Sequence, residues 1–137
     1  MNDHYVRFEL GGILFEYDEN KNQKNLKDHG LSFRNAARVF FDYDRIEFYD
    51  EDNSVYEDRY DTIGDLSAGF IGNGSSRGEV LIGNIRAFPN EPEEIVFVVY
   101  TERPADEVSK TEETVIRLIS ARLATNFERG LYYGKHD

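Results

Sequence analysis

A short stretch near the N-terminus, KNLKDHGLSF, concentrates residues that could bind an anion or transfer a proton. It contains Lys24, Lys27 and His29 within six residues and then reaches Gly30. A lysine ammonium group binds negatively charged oxygens, and histidine titrates close to neutral pH. These residues therefore suit chemistry on a phosphate, but a cation at the end of a helix is also stabilised by the helix dipole alone. Both interpretations of Lys27 and His29 remain open from the sequence.

Further charged candidates lie in segments that read as strands. Glu57 and Arg59 are two residues apart, so both should point to one face of a strand, although they could equally form a simple surface ion pair. Arg103 follows the apolar run IVFVVY at a strand end, an unusual place for a cation, and a functional role is favoured. Arg117 lies among apolar neighbours in VIRLIS and should point away from them; a structural and a functional role are equally supported.

The hydrophobic pattern near the N-terminus predicts one strand and two helices. ILFEYD alternates apolar and polar residues and predicts a strand over 13–18. Asp18 is a good N-cap for a polar helix that runs to about Asp28, where Gly30 supplies a left-handed stop. Ser32 caps a second helix with an apolar stripe at helical spacing, which ends at Asp42.

From residue 45 onward the apolar period changes to two. Strands are predicted at RIEFY, RYDTIG, EVLIGNI, EIVFVVYT and VIRLIS, and a C-terminal helix with an apolar stripe of Leu123, Phe127 and Leu131 follows Ser120. Two polar segments, 65–78 and 104–114, are predicted to be long loops between strands. The predicted fold class is α+β, with two N-terminal helices, an antiparallel sheet of about four to five strands and a C-terminal helix.

Length and composition predict a single domain over 1–137 that resides in the cytoplasm. The chain has 137 residues, 39% of them hydrophobic, and no cysteine. No segment approaches the roughly 18 apolar residues that a membrane span requires, so no membrane association is expected. The net charge of −11 argues against indiscriminate nucleic-acid binding. The charge is uneven, because residues 42–61 form an acidic flank that could serve a basic partner.

Three patterns that resemble cofactor sites can be set aside, so neither a metal nor another cofactor is predicted. GNGSSRG has the wrong spacing for a dinucleotide-binding loop. DEDNSVYEDRYD begins like a calcium loop but has Val55 where glycine is required. His4, His29 and His136 lack metal-ligand spacing.

Four blocks of the sequence resemble the BrnT toxin family, in the family's order and over most of residues 13–133. They are FEYDENKNQKNLKDHGLSFRNAARVFFD, EDRYDTIG, VVYTER and IRLISARLATNFERGLYY. The resemblance implies a toxin of a type II toxin–antitoxin pair with a fold like the RelE ribonucleases. It also implies mRNA cleavage that stops translation, and inhibition by a BrnA-like ribbon-helix-helix antitoxin. Contact with DNA would then occur only through that antitoxin.

The resemblance gives the charged candidates roles in metal-independent RNA cleavage. Such cleavage needs a base for the 2′-OH, cations for the crowded phosphorane and a proton for the leaving 5′-oxygen. The predicted catalytic residues are Lys27, His29, Glu57, Arg59 and Arg103, and we expect the cationic ones to gather on one side of the sheet around one phosphodiester. The predicted RNA-binding residues are Arg117, Arg122 and Tyr133.

For two of these predicted RNA-binding residues, a purely structural role remains an alternative. Arg122 is expected at the start of the last helix, where it could simply anchor that helix to the preceding strand. Tyr132 and Tyr133 could stack on a base, although packing in the core is the more common role. A second hypothesis from another class also remains: the chain could be a toxin-like binding module that has lost cleavage and acts as the partner of a DNA-binding repressor.

Overall fold

The largest element of the protein is a six-stranded sheet, seen in a computed structural model that describes residues 4–71, 80–86, 94–106, 108 and 113–134. The described strands are β1 (Tyr5–Leu10), β2 (Ile13–Asp18), β3 (Ile46–Tyr49), β4 (Tyr60–Asp65), β5 (Ala68–Ile71), β6 (Val80–Arg86), β7 (Ile95–Pro104) and β8 (Thr114–Leu123). The order in the large sheet is β1-β2-β8-β7-β4-β3, and β5 pairs with β6 separately. The α+β class is therefore confirmed.

Two details of the predicted sheet are wrong. The large sheet has six strands rather than four or five, and it is mixed, because β2 runs parallel to β8 while the other neighbours are antiparallel. Parallel pairing of β2 with β8 joins the N-terminal block to the C-terminal block, over about 100 residues of chain. A pattern of local periodicity contains no signal for such a long-range neighbour.

The helices are α1 (Glu19–His29), α2 (Phe33–Ala36) and α3 (Asn126–Gly134), with 3-10 segments at Ala37–Phe41 and Glu51–Asn53. The predicted caps of the first helix are confirmed: Asp18 accepts hydrogen bonds from the N–H groups of Asn20 and Lys21, and Gly30 has φ 67°. Within the described residues, none of these helices is long and apolar enough to cross a membrane.

Two buried asparagines dock the polar helix α1 onto the rest of the fold. Asn22 accepts a hydrogen bond from the Phe33 N–H at 2.9 Å, and Asn25 donates to the Leu31 carbonyl at 2.7 Å. A helix with almost no apolar stripe is therefore held by side-chain amides that satisfy backbone groups of the following turn. The other side of α1 faces solvent.

The second predicted helix is correct in its start and wrong in its length. The hydroxyl of Ser32 accepts from the Asn35 N–H at 3.1 Å, as expected of an N-cap. The α-helix lasts for one turn and tightens into the 3-10 segment, which places both Val39 and Phe40 in the core.

Strand β1 was not predicted from the sequence. It pairs with β2 through a two-residue turn at Gly11 and Gly12, which have φ values of 57° and 86°. Positive φ at both central positions is the geometry that matches the twist of a tight hairpin, and glycine adopts it without strain. The alternation in YVRFEL followed by GG was the available signal.

The two predicted long loops are partly replaced by strands. The segment 65–78 contains β5, so the loop prediction is wrong at Ala68–Ile71, while 72–79 lies outside the described residues. The predicted strand EVLIGNI is confirmed as β6, but it pairs with β5 and not with the large sheet. In the segment 104–114, Pro104 pairs with Thr114 and Ala105 donates to Glu113, so the ladder extends into the predicted loop. Residues 107 and 109–112 of this loop lie outside the described part.

The C-terminal helix begins later than predicted, because β8 continues to Leu123. Arg122 is therefore a strand residue rather than the first residue of the helix. A capping box starts α3: Thr125 accepts from the Glu128 N–H, and Glu128 accepts from the Thr125 N–H. The predicted apolar stripe is exposed, with Phe127 76% accessible, whereas Tyr132 is buried. Core packing is thus the role of Tyr132.

Side chains of the large sheet pack on two faces. The first face carries the main core beneath α1 and α2, which includes Phe15, Tyr17, Phe33, Val98 and Leu118. On the second face, α3 packs over a smaller cluster of Ile63, Ile95 and Tyr132. Beyond α3, this second face carries charged side chains from several strands.

Candidate active site

A carboxylate held between two guanidinium groups lies where the ends of β4 and β7 meet. Glu57 Oε1 is 3.2 Å from Arg103 Nη1, and Glu57 Oε2 is 3.4 Å from Arg59 Nη2. Each of the three side chains is about a third exposed, so the group is accessible to a ligand. We call these three residues the Glu57 cluster.

The turn before β4 positions the Glu57 cluster, and strand alternation does not. Glu57 and Arg59 both precede Tyr60, the first residue of β4. The turn is fixed at two points: the Ser54 hydroxyl accepts from the Arg59 N–H at 2.9 Å, and the Thr101 hydroxyl donates to the Asp58 carbonyl at 2.6 Å. The second bond ties the turn to β7, two residues before Arg103.

Lys27 and His29 lie elsewhere, so the expected gathering around one phosphodiester is wrong. Both are exposed in the last turn of α1. His29 lines a shallow pocket of about 360 Å³ together with Arg122 and Thr125. Arg122 pairs with Phe97 of β7, six residues before Arg103, which corresponds to roughly 20 Å along the strand. A single phosphodiester therefore cannot contact both His29 and the Glu57 cluster.

Arg122 anchors β8 to α3. Its two Nη atoms donate to the two carboxylate oxygens of Glu128 at 2.7 and 2.9 Å, and its guanidinium lies 4.3 Å from the centre of the Phe97 ring. The hydrogen bond with Glu128 raises the pKa of Arg122, and the same bond lowers the pKa of Glu128. This is the anchoring role that the sequence left open; a contact of Arg122 with RNA stays a prediction.

The remaining two RNA-binding candidates are placed differently. Arg117 projects from β8 toward β2, where its Nε donates to Glu16 Oε2 at 2.6 Å. Tyr133 is partly exposed on α3, packed edge-on against Tyr132 and beneath the guanidinium of Arg129. The structure thus brings Arg117 to the same face as the Glu57 cluster and places Tyr133 on the helix that covers the other end of that face.

Asp61 is a candidate that the sequence analysis missed. It lies on β4, two residues after Arg59, and pairs with Val99 of β7. Burial, reinforced by the nearby carboxylate of Asp50 and opposed by Arg122, raises the pKa of Asp61 to about 6. A carboxyl group that titrates near neutral pH is suited to proton transfer. Its position in RYDTIG, in phase with Arg59, was a signal that could have found it.

Glu16 and Arg7 were also missed. Glu16 is buried on β2, and its Oε1 accepts from Arg7 Nε at 2.9 Å while its Oε2 accepts from Arg117. A glutamate between two aromatic residues of the strand ILFEYD was the signal in the sequence, but its partner Arg7 lies in a strand that was not predicted. Among the described residues, no group of three or more histidine, aspartate and glutamate side chains is arranged to hold a metal ion.

The fold and the site together define a class: an α+β domain whose mixed sheet carries, on one face, carboxylates held between arginines. Residues 17–71 match the model of the family described as ribonuclease toxin, BrnT, of type II toxin–antitoxin system. The resemblance to this family is therefore confirmed from the end of β2 to the end of β5. No curated protein matches the chain.

The matched segment contains part of the candidate site. Glu57 and Arg59 lie inside 17–71, as do Lys27 and His29, whereas Arg103 and Arg117 lie outside it. The family match supports a ribonuclease toxin that has an antitoxin partner.

Proposed function

We propose that this protein is the ribonuclease toxin of a type II toxin–antitoxin system, that it cleaves mRNA without a metal ion, and that the Glu57 cluster is its catalytic centre. The observation that carries the proposal is the bridging of Glu57 by Arg59 and Arg103, from segments more than 40 residues apart. Two of these three residues lie within the matched family segment, which supports a ribonuclease.

The geometry supports a reaction in which the 2′-OH of RNA attacks the adjacent phosphorus. Arg59 and Arg103 neutralise the charge that develops on the phosphorane oxygens. When the guanidinium groups turn toward the phosphate, Glu57 loses its partners and accepts the proton of the 2′-OH. The P–O5′ bond breaks, the 5′-oxygen takes up a proton from solvent, Glu57 releases its proton to solvent, and a 2′,3′-cyclic phosphate is left. Lys27 and His29 lie in the last turn of α1, and His29 lines the pocket near Arg122, so the proposal does not include these two residues in the catalytic centre.

Expression of the protein alone in bacteria tests the proposal. We expect growth arrest and RNA fragments with cyclic phosphate ends, and we expect the purified protein to cleave RNA in the presence of EDTA. Glu57→Gln and Arg103→Ala should each reduce cleavage at least 100-fold, in line with the loss of a general base or of a charge-stabilising group. Arg34→Ala is the matched control, because Arg34 is an arginine on the opposite face of the sheet.

The two parts of the proposal fail separately. Arrest that persists in both cluster variants, with their folding confirmed by circular dichroism, would show that the catalytic centre is elsewhere. Harmless expression of the unaltered protein, with intact RNA, would instead favour a second candidate: a toxin-like binding module that partners a DNA-binding repressor. The distance between His29 and the Glu57 cluster, and the net charge of −11, favour that candidate.

We further propose that the antitoxin is a BrnA-like ribbon-helix-helix protein that contacts the acidic flank 42–61 through a basic amphipathic helix. The flank presents exposed carboxylates at Glu51 and Asp52, and exposed aromatic rings at Phe48 and Tyr49 of the edge strand β3. Binding should weaken as salt rises, and Glu51→Gln with Asp52→Asn should reduce this salt dependence. Salt-insensitive binding would contradict the assignment of this surface.

A further inference from the structure

A second carboxylate flanked by arginines lies beside the Glu57 cluster. Glu16 accepts from Arg7 Nε at 2.9 Å and from Arg117 Nε at 2.6 Å. The Glu16 side chain is only 3% exposed, whereas that of Arg7 is 45% exposed. The guanidinium of Arg117 also lies 4.1 Å from the centre of the Tyr5 ring. The contacts with Glu16 use the Nε atom of each arginine.

The strand register aligns this group with the Glu57 cluster. Arg7 pairs with Glu16, Glu16 with Arg117, and Arg117 with Thr101. Residues paired directly across neighbouring strands project from the same face. Arg103 follows two residues after Thr101 and therefore shares that face.

The result is a row of four guanidinium groups that crosses five neighbouring strand positions, from β1 to the turn before β4. Its members are Arg7 on β1, Arg117 on β8, Arg103 on β7 and Arg59 before β4; we call them the arginine row. With neighbouring strands about 4.8 Å apart, the row extends roughly 14 Å from β1 to β7. Four cations and two carboxylates, Glu16 and Glu57, give the row a net positive charge on a protein whose total is −11.

Stability alone is a weak reason for the Glu16 group. Two charges lose their hydration when they are buried, and well-packed apolar side chains often serve equally well. A fixed pair of guanidinium groups is, however, well suited to phosphate, since arginine presents several donors in a planar fork. Glu16 holds the guanidinium groups of Arg7 and Arg117 in place and reduces the repulsion between them.

We propose that Arg7 and Arg117, positioned by Glu16, form a phosphate-binding subsite that holds single-stranded RNA on the sheet next to the Glu57 cluster. This inference rests on the proposed function, because it takes RNA as the ligand. Glu16 is a positioning residue; Arg7 and Arg117 contact the phosphates adjacent to the one that is cleaved.

The test measures the binding of a fluorescein-labelled, fully 2′-O-methylated single-stranded RNA by anisotropy. The methyl groups block attack by the 2′-oxygen, so the affinity is read independently of cleavage. We expect Arg7→Ala to weaken binding about tenfold, as for the loss of one charge-assisted contact. It should also reduce the slope of log K against log salt by about 0.7, the value for one lost phosphate contact with a single strand. Arg34→Ala should change neither quantity.

The substitution Glu16→Gln shows whether Glu16 positions the two arginines or merely repels RNA, because the two roles change the affinity for RNA in opposite directions. If Glu16 acted only as a negative charge near the RNA, its neutralisation would strengthen binding. We expect weaker binding instead, because the amide oxygen can hold only one of the two arginines in place. Thermal melting by circular dichroism checks that the Glu16→Gln variant, which is altered at a buried position, is folded. If it is unfolded, the binding of RNA by Arg7→Ala, which is altered at an exposed position, still tests the subsite.

The outcomes separate this inference from the proposed function. Unchanged affinity and salt slope in Arg7→Ala and Arg117→Ala overturn the subsite, even if the unaltered protein cleaves RNA. Failure of the unaltered protein to bind the probe also overturns it. Binding that depends on Arg7 and Arg117 supports the subsite, even if no cleavage is observed and the catalytic proposal fails.

Discussion

The hydrogen bond between Tyr132 and Asp42 is one of the contacts that join α3 to the rest of the fold, and it is the one made by a buried side chain of this helix. Tyr132 Oη donates to Asp42 Oδ2 at 2.6 Å, and Asp42 is 1% exposed. Asp42 also accepts from the N–H groups of Asp44 and Asp65, so one buried carboxylate connects the end of the 3-10 segment, β4 and α3. Burial, together with this hydrogen bond, raises the pKa of Tyr132, and the hydroxyl therefore remains a donor at every working pH.

The substitution Tyr132→Phe removes this bond and leaves the ring. A hydrogen bond to a charged group contributes about 1.5–3 kcal/mol, and Asp42 keeps two backbone donors, so we expect a loss of about 2 kcal/mol in the free energy of unfolding. For a chain of this size, that loss corresponds to a decrease in Tm of roughly 8 °C. Urea denaturation followed by circular dichroism measures it, with an unchanged m-value as the sign that the denatured state is unaffected.

Tyr43→Phe is the matched control, because the Tyr43 side chain is 69% exposed and a surface change of this kind should stay within about 0.5 kcal/mol. If Tyr132→Phe were no more destabilising than this control, the buried bond would contribute nothing and the reasoning about α3 would be refuted. A large loss accompanied by a lower m-value would also contradict it, since the variant would then differ from the unaltered protein in compactness and not only in one contact.

Two further predictions concern β4 and α3. The folded protein keeps the proton of Asp61 up to about pH 6, whereas the unfolded chain releases it near 3.8, so stability should fall as pH rises through this window. Asp61→Asn should remove the decline and raise the free energy of unfolding at pH 7 by about 1 kcal/mol after allowance for solvent screening, while the exposed control Asp52→Asn should not. Equal pH profiles for the unaltered protein and Asp61→Asn in urea titrations would contradict this prediction. Gly64→Ala would place its Cβ 2.6 Å from Val39 Cγ2 and should lower the free energy of unfolding by about 1–3 kcal/mol. A Cβ at Gly130 in α3 meets no atom within 4 Å, so Gly130→Ala should raise the free energy of unfolding by about 0.5–1 kcal/mol. Thermal melts in which both variants shifted Tm in the same direction would refute the packing argument.

Elements with local signals could be predicted from the sequence. The strand β2, the cap at Asp18 and the stop at Gly30 depend on residues within a few positions of one another, and all three are confirmed. The apolar run of β7 likewise identifies a central strand, which lies between β8 and β4. In these cases the side chain that decides the backbone conformation is in the same segment as the conformation itself.

Features that depend on distant parts of the chain could not be predicted. The apolar stripe that identified α3 in the sequence is exposed, and the helix docks through Tyr132, whose partner Asp42 is 90 residues away. The β-bulge between β7 and β8, next to Val99 and Tyr100, shifts which face a residue of β8 occupies. Strand alternation alone therefore cannot place Arg117 and Arg122 relative to each other. For the Glu57 cluster, the sequence predicted the right contact for the wrong reason. The contact of Glu57 with Arg59 was expected from strand alternation, but both residues precede β4 and the turn brings them together.

Charge is distributed unequally around the arginine row, and this affects how RNA could reach it. At physiological ionic strength, charges more than about 8 Å apart are largely screened from one another. A phosphate at Arg7 is therefore influenced mainly by the groups nearest to it, which are the guanidinium of Arg117 and the carboxylates of Glu16 and Glu9. A phosphate beyond Arg59 approaches carboxylates of the flank 42–61, because Asp61 follows Arg59 on the same face of β4 and Asp50 lies beside Asp61.

If both proposals hold, RNA should approach from the β1 edge and end at the Glu57 cluster, because the acidic flank repels it on the far side. The same flank would attract a basic antitoxin helix to the border of the cluster. Such a partner could block catalysis while Arg7 and Arg117 remain uncovered. The antitoxin complex should then retain part of the affinity for the methylated RNA probe while losing cleavage; a complex that binds no probe would place the antitoxin over the arginine row instead.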